Sequence, residues 1–289
     1  MTRRRFATLL LILLFLALAG AWLFGSLMAR PVNREMSAPT APGRLVHLNA
    51  SDGVSLAASF WPGVRPDVPA ILLLHGVDAN RDQMARHADW LHGLGYAVLA
   101  IDFRGHGGSG AVTRSFGLNE ARDAAAALAF LRANAPGRRV AVIGISLGGA
   151  AALLGDDGPL PVEAMILQAV YPDLRTAIAN RIGRVAGWPV AMLGEPLLSY
   201  QSLPRYGVGP ARIAPREAIR AYRGALLVIG GTEDRSTTVA DTRALHGAAP
   251  GAPALWLVDG ADHVTISGLW SEDYRRRVGA FLAQNLAPF

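Results

Sequence analysis

Arg139-Val-Ala-Val-Ile-Gly-Ile-Ser146-Leu-Gly-Gly149-Ala-Ala-Ala-Leu-Leu154 is the stretch whose reading decides the rest of this chain. Val140, Val142, Ile143 and Ile145 form a run that is too short for a helix and apolar on both faces, as a central parallel strand is. The alanines and leucines after Gly148 favour a helix. Between the two lies Gly144-Ile-Ser146-Leu-Gly148, a G-x-S-x-G turn in which glycines let neighbouring backbones approach and the serine projects above the sheet. Its hydroxyl then stands at a helix N-terminus, where anionic charge is favoured. The same residues also suit an ordinary βα turn packed with small side chains, so the surrounding pattern has to decide.

Working outward from the turn, strands and helices alternate. Residues 44–50 and 54–61, joined by Ser51-Asp52-Gly53, read as a hairpin at the antiparallel edge of a mostly parallel sheet. Residues 70–74 are a buried strand ending in His75-Gly76-Val77-Asp78-Ala79-Asn80, and residues 81–94 have helical spacing stopped by Gly95. A strand over 96–103 opens into the glycine-rich loop Arg104-Gly-His-Gly-Gly-Ser-Gly110. A helix over 119–134 is closed by Pro136-Gly137. After the serine turn come strands at 162–170, 224–231 and 254–258 and helices at 237–247 and 271–285. This alternation predicts one α/β domain over residues 44–289, with a mostly parallel sheet covered by helices on both faces. The rhythm breaks over residues 171–223, which hold one helical piece near 216–222 and read as a small cap over the ligand crevice.

The chain of 289 residues has no cysteine, which excludes disulfides, a thiol nucleophile and thiolate metal sites. Its net charge of +6 rests on 28 arginines without a lysine. They are spread along the chain and do not form the clustered footprint that nucleic-acid binding needs, so no nucleic-acid partner is expected. Residues 6–29 carry no charge and as a helix would be about 36 Å long, enough to cross a hydrocarbon core. Arg3-Arg4-Arg5 before them predicts a single-pass anchor over residues 1–29 in the cytoplasmic membrane, with the α/β domain outside the cytoplasm. A cleaved secretory signal is the alternative, with small-residue sites at Ala17-Leu-Ala19 and Leu27-Met-Ala29, and Thr2-Arg-Arg-Arg-Phe6 also resembles a twin-arginine signal. Residues 30–43, with Pro31, Pro39 and Pro42, read as a flexible tether.

Acyl transfer needs a nucleophile, a base, an acid that orients the base, and donors for the oxyanion. Ser146 supplies the first. Asp234, in Gly230-Gly-Thr-Glu-Asp234 after a strand, is the candidate acid, with Glu233 as its local alternative and a helix N-terminal carboxylate as its structural one. His263 follows the next strand in Asp259-Gly-Ala-Asp262-His263 and is the candidate base, with Asp262 expected to face away. The backbone N–H groups of Leu147 and Val77 are the candidate oxyanion donors.

Residues 44–288 resemble the α/β-hydrolase superfamily. His75-Gly76, the Asp102-Phe-Arg-Gly-His-Gly-Gly-Ser109 loop, the turn at 144–148, Gly231-Thr-Glu-Asp234 and Asp262-His263 occur in that family's order. The loop and the short cap look most like its serine-aminopeptidase and monoglyceride-lipase-like branch. The resemblance implies esterase, lipase or peptidase chemistry through Ser146, His263 and Asp234, without metal or cofactor. It also sets aside His75 and His106, which precede the serine where this fold's base follows it. A small-molecule ester, lipid or short peptide is the expected substrate, and apolar cap residues near Trp188, Leu193 and Leu197 would suit an acyl group. An acyltransferase with the same triad and a non-catalytic binding module are the alternatives.

Overall fold

The computed structural model describes residues 3–65, 67–134, 137–268 and 270–287. Thr2, Pro136 and Pro288, which figure in the sequence reading, lie outside the described residues. The chain begins with helix α1 (Arg3–Ala29), strand β1 (Val32–Asn33), β2 (Arg44–Asn49), β3 (Ser55–Trp61) and β4 (Ala70–Leu74). It continues with α2 (Ala85–Gly93), β5 (Ala97–Ile101), β6 (His106–Gly107), α3 (Glu120–Asn134), β7 (Val140–Ile145), α4 (Leu147–Leu153) and β8 (Ala164–Gln168). Helices α5 (Leu174–Ala186), α6 (Trp188–Ser199), α7 (Ser202–Tyr206) and α8 (Pro215–Ala218) precede β9 (Ala225–Gly231). The chain closes with α9 (Val239–Ala248), β10 (Ala254–Val258), α10 (His263–Ser267) and α11 (Glu272–Leu286).

Eight strands form one sheet in the order β10-β9-β8-β7-β4-β5-β3-β2. Only β2 with β3 and β3 with β5 run antiparallel. Gly53, at φ 83°, makes the tight turn between β2 and β3 that the Asp-Gly pair predicts. Alternate residues of the buried strands feed two cores. Leu72, Leu74, Val140, Val142 and Leu167 face α3 and α4, whereas Ile71, Leu73, Ala141, Ile143 and Ile166 face α2 and α11. A strand buried on both faces has no polar side to show, which is why β7 reads as a continuous apolar run. The chain leaves β4 toward β5 on one side and returns to β7 on the other. Outside the carboxyl ends of β4 and β7 this reversal leaves the crevice where such sheets hold ligands.

Three readings need correction. The cap is mostly helical, with α5, α6 and α7 where only a piece near residues 216–222 was expected; that piece is α8 and a 3₁₀ turn. Pro189 falls in the first turn of α6, where a missing N–H costs nothing. Residues 30–43 do not hang free either. Val32 N–H donates to Gly105 O at 2.7 Å, Arg34 N–H to Gly107 O at 3.0 Å, and the Asn33 amide reaches Ser109 O at 2.6 Å. The segment is therefore strapped along the glycine-rich loop, whose carbonyls need partners that the loop's own irregular backbone does not provide. Residues 81–84 form a 3₁₀ turn before α2, so the predicted helix over 81–94 starts later as an α-helix.

Candidate active site

Ser146 occupies the turn between β7 and α4 with φ 47° and ψ −107°, a strained conformation for a side-chain-bearing residue. The turn is fixed from both sides, by Ser146 N–H on Gln168 O at 2.8 Å and by Ala150 N–H on Ser146 O at 3.0 Å. Its glycines are required by space. A Cβ on Gly144 would lie 2.7 Å from Gly149 Cα, and one on Gly148 would lie 2.3 Å from Leu74 O and 2.8 Å from His75 O. The second contact presses the first turn of α4 directly onto the end of β4, so the Leu147 N–H and the loop carrying Val77 adjoin one another. Leu147 N–H is among the first amides of a helix, which have no partner within it.

The loop after β4 is held by side chains. Gly76 N–H donates to Gln83 Oε1 at 2.8 Å, and Asn80 Oδ1 caps the 3₁₀ turn through Asp82 N–H at 2.9 Å. His75 is fully buried, accepts the Phe103 N–H on Nε2 at 3.0 Å and donates Nδ1–H to Gly76 O at 2.7 Å. Burial, with His106 nearby, lowers its pKa to about 3, so it stays neutral and braces the loop. Neither ring nitrogen is left to serve as a base.

The 102–109 loop is a brace as well. Asp102, fully buried, accepts Arg81 N–H at 2.7 Å and Gly108 N–H at 2.9 Å and pairs with the Arg81 guanidinium. Arg104 spans Asp123 and Asp52 at 2.7 and 2.6 Å. Breaking one partner from a buried pair of this kind costs about 3–5 kcal/mol. The charges of this motif thus hold the loop after β4 and the β2–β3 hairpin against the sheet.

The loops after β9 and β10 bring the other two candidates together. Thr232 N–H donates to Val258 O and Glu233 N–H to Ala261 O, each at 3.0 Å, and a Cβ on Gly231 would lie 2.1 Å from Ala261 O. Within this zipped pair His263 Nδ1 donates to Asp234 Oδ2 at 2.7 Å. The other carboxylate oxygen of Asp234 accepts Ser236 N–H and Thr237 N–H at 2.7 and 2.8 Å. Asp234 is buried, while the His263 side chain keeps 21% of its surface exposed. Asp262 faces outward and caps α10 through Thr265 N–H at 2.8 Å, a hydrogen bond that lowers its carboxyl pKa. Glu233 is exposed. With Nδ1–H engaged by a carboxylate, Nε2 is the basic nitrogen of His263. The Ser146 Oγ is buried and has no hydrogen-bond partner, so the serine–histidine bond is not formed in this state.

Several residues around the site carried no local signal in the sequence. Gln168, at the end of β8, donates its amide to Ile266 O and so positions α10. Asn180 of α5 reaches Asp241 Oδ2 at 2.7 Å and Ser236 O at 3.3 Å, tying the cap to the loop of Asp234. Arg181 lies on the same face of α5 as the buried Leu174 and Ala177 and hydrogen-bonds Ala177 O at 3.0 Å. Burial lowers its pKa, opposed by the charges of Tyr171, Asp234 and Asp78. The apolar cap residues Trp188, Leu193 and Leu197 do not line the site and are exposed. Helix α6 turns Ala191, Glu195 and Ser199 inward, which leaves the large side chains outside. A surface cavity of about 470 Å³, lined by Asp173, Arg175, Thr176 and Glu195 among others, contains none of the candidate site residues. Among the described residues, no group of three or more His, Asp or Glu side chains is placed to hold a metal ion.

Residues 66–204 match the family model for serine aminopeptidase, S33. The chain has the α/β-hydrolase fold. The matched span contains the loop after β4, the 102–109 loop, the Ser146 turn and most of the cap. Asp234 and His263 lie beyond it. The chain is 35% identical over 135 residues to an uncharacterised protein of Mycobacterium tuberculosis, 46% of this chain and 47% of that one. It thus spans about half the length of the curated mycobacterial relatives it matches. The uncharacterised protein YqkD of Bacillus subtilis is 26% identical over 223 residues, 75% of this chain and 72% of that one. Among solved structures, an esterase of Pyrococcus furiosus shares the fold with a TM-score of 0.69 at 22% identity, over 90% of this chain and 99% of that one. An esterase of Exiguobacterium antarcticum does so with a TM-score of 0.58 at 17% identity, over 83% and 98% of the two chains.

Proposed function

We propose that this α/β-hydrolase is a membrane-anchored serine hydrolase that cleaves carboxylic esters through Ser146, His263 and Asp234. The observation that carries the reading is the 2.7 Å bond from His263 Nδ1 to buried Asp234, in loops after strands of the same sheet whose β7 ends in a serine held in a strained turn. As substrate enters, the serine hydroxyl and His263 Nε2 come into hydrogen-bond contact, a contact that such sites commonly complete only with substrate bound. Nε2 takes the proton while Oγ attacks the carbonyl carbon. The resulting oxyanion is met by the N–H groups of Leu147 and Val77. Collapse of the intermediate breaks the ester bond, and His263 returns its proton to the leaving alcohol. A water molecule, deprotonated by the same Nε2, then attacks the acyl-serine, releases the acid and restores the hydroxyl. Asp234 keeps Nδ1 protonated and stabilises the imidazolium throughout.

Helix α1 supports the anchor. It is long and apolar enough to span a bilayer, and its most hydrophobic stretch is not buried by the rest of the protein. Its carboxyl end is engaged by the domain. Gln201 donates to Ala21 O at 2.8 Å, and Arg205 to Trp22 O at 2.9 Å and Ser26 Oγ at 2.8 Å. Arg114 N–H reaches Ala29 O at 2.9 Å. Contacts of this number favour a retained helix over a removed signal.

Solved relatives of the fold described as esterases stand beside a family model described as aminopeptidase, so ester and amide are the two substrate classes to separate. Steady-state assays of the full-length enzyme in detergent, on chromogenic acyl esters and on aminoacyl amides, make the test. The expected result is turnover of the esters with little or none of the amides. A preference for the amides would move the reading to a peptidase.

A further inference from the structure

Helix α6 has an unusual surface for one facing water. Val190, Leu193 and Leu197 recur at i, i+3 and i+7 along it, with Tyr200 just past its end and Trp188 and Met192 beside them. Leu193 is 76% exposed, Met192 63% and Trp188 62%. The helix's single charged residue, Glu195, is buried and engaged by Arg175 at 2.8 Å, so the exposed face of α6 carries no charge. A contiguous apolar face of this kind marks a contact with another apolar phase.

The anchor identifies that phase. Helix α1 packs along α6, and its contacts with Gln201 and Arg205 begin at Ala21. The apolar part ahead of those contacts, residues 6–20, is about 22 Å long at 1.5 Å per residue. A hydrocarbon core of about 30 Å needs roughly 20 residues, which from Phe6 reaches Gly25. The last turns of the span are therefore the turns that touch the cap. The Arg205 guanidinium lies 3.9 Å from the centre of the Trp22 ring, and a tryptophan stacked with an arginine is the pairing suited to a lipid–water boundary.

Resting on the anchored reading above, we propose that the outer face of α6 is seated in the leaflet through which α1 emerges. The occupant is the lipid surface itself. Helix α6 lies in the interface, with its apolar stripe among the acyl chains and Arg205 at the headgroups. The cap covering the Ser146 crevice is thereby held against the bilayer, which selects esters delivered from the membrane.

The absence of native cysteine makes a direct test available. The full chain is reconstituted into phosphatidylethanolamine–phosphatidylglycerol vesicles carrying lipids spin-labelled near the headgroup or at the chain end. An environment-sensitive fluorophore is attached at Leu193→Cys on α6, Leu13→Cys on α1, or Asp67→Cys in the exposed loop ahead of β4. The expected result is that the fluorophore at position 193 loses most of its emission to the headgroup-proximal spin label, while the one at position 67 keeps its emission. If position 13 is quenched and position 193 behaves like position 67, the anchor spans but the cap stands clear, and the inference is overturned. If position 13 is also unquenched, the anchor reading fails and the inference falls with it.

Discussion

Asp234→Asn is expected to lower kcat/KM on an ester by about four orders of magnitude, mostly in kcat, with the fold intact. The side chains are nearly isosteric, and the asparagine oxygen can keep the two amides of Ser236 and Thr237 that Asp234 Oδ1 now accepts. Its NH₂ group then faces His263 Nδ1, which has to accept a hydrogen bond where it now donates one. The ring proton moves to Nε2, and the nitrogen that should take the serine proton is blocked. Circular dichroism and thermal unfolding of the variant should match the parent, because no packing contact is lost. A loss of less than about tenfold in kcat/KM would mean that this carboxylate does not set the histidine's tautomer.

Gly148→Ala is expected to cost about 3 kcal/mol of stability and to abolish most activity, although it adds a single methyl group. The methyl would sit 2.3 Å from Leu74 O, 2.6 Å from Leu74 C and 2.8 Å from His75 O. Those atoms are backbone at the end of β4, which is paired with β5 on one side and β7 on the other, so they have little room to yield. Relief has to come from α4, and moving α4 moves Ser146 and the Leu147 N–H together. Gly247→Ala is the matched control. It lies in α9, a Cβ there meets nothing within 4 Å, and helix propensity predicts a gain of roughly 0.5–1 kcal/mol. Urea unfolding of the pair should shift the midpoint in opposite directions.

What could be read in advance was local. The apolar run of β7, the glycines around Ser146, the Asp-Gly turn and the acidic and histidine loops after β9 and β10 each carry their signal within a few residues. The distance between Asp234 and His263 in sequence did not matter, because strand order in a parallel sheet brings successive strand ends together. What was missed depends on contacts across the chain. Helices α5 and α6 meet at Gly187, with φ 83°, and Pro189 and Pro196 lie in or near α6, so residue-by-residue propensity argued against helices that pairing with each other stabilises. The strap at Val32–Asn33 exists because Gly105 and Gly107 present carbonyls, which composition cannot show. Trp188, Leu193 and Leu197 are apolar enough to suit an acyl group but lie on the outer side of the cap, because sequence gives the periodicity of a helix and leaves open which neighbour covers which face.

The most direct test of the account is covalent labelling of the purified, folded enzyme by a fluorescent fluorophosphonate, beside its Ser146→Ala variant. Attack by an activated serine leaves a stable phosphonyl adduct, and mass spectrometry of the digest locates it. The account predicts labelling of the parent on the peptide containing Ser146 and none in Ser146→Ala. Labelling that persists in the folded variant, or a folded parent that stays unlabelled in detergent, would contradict it.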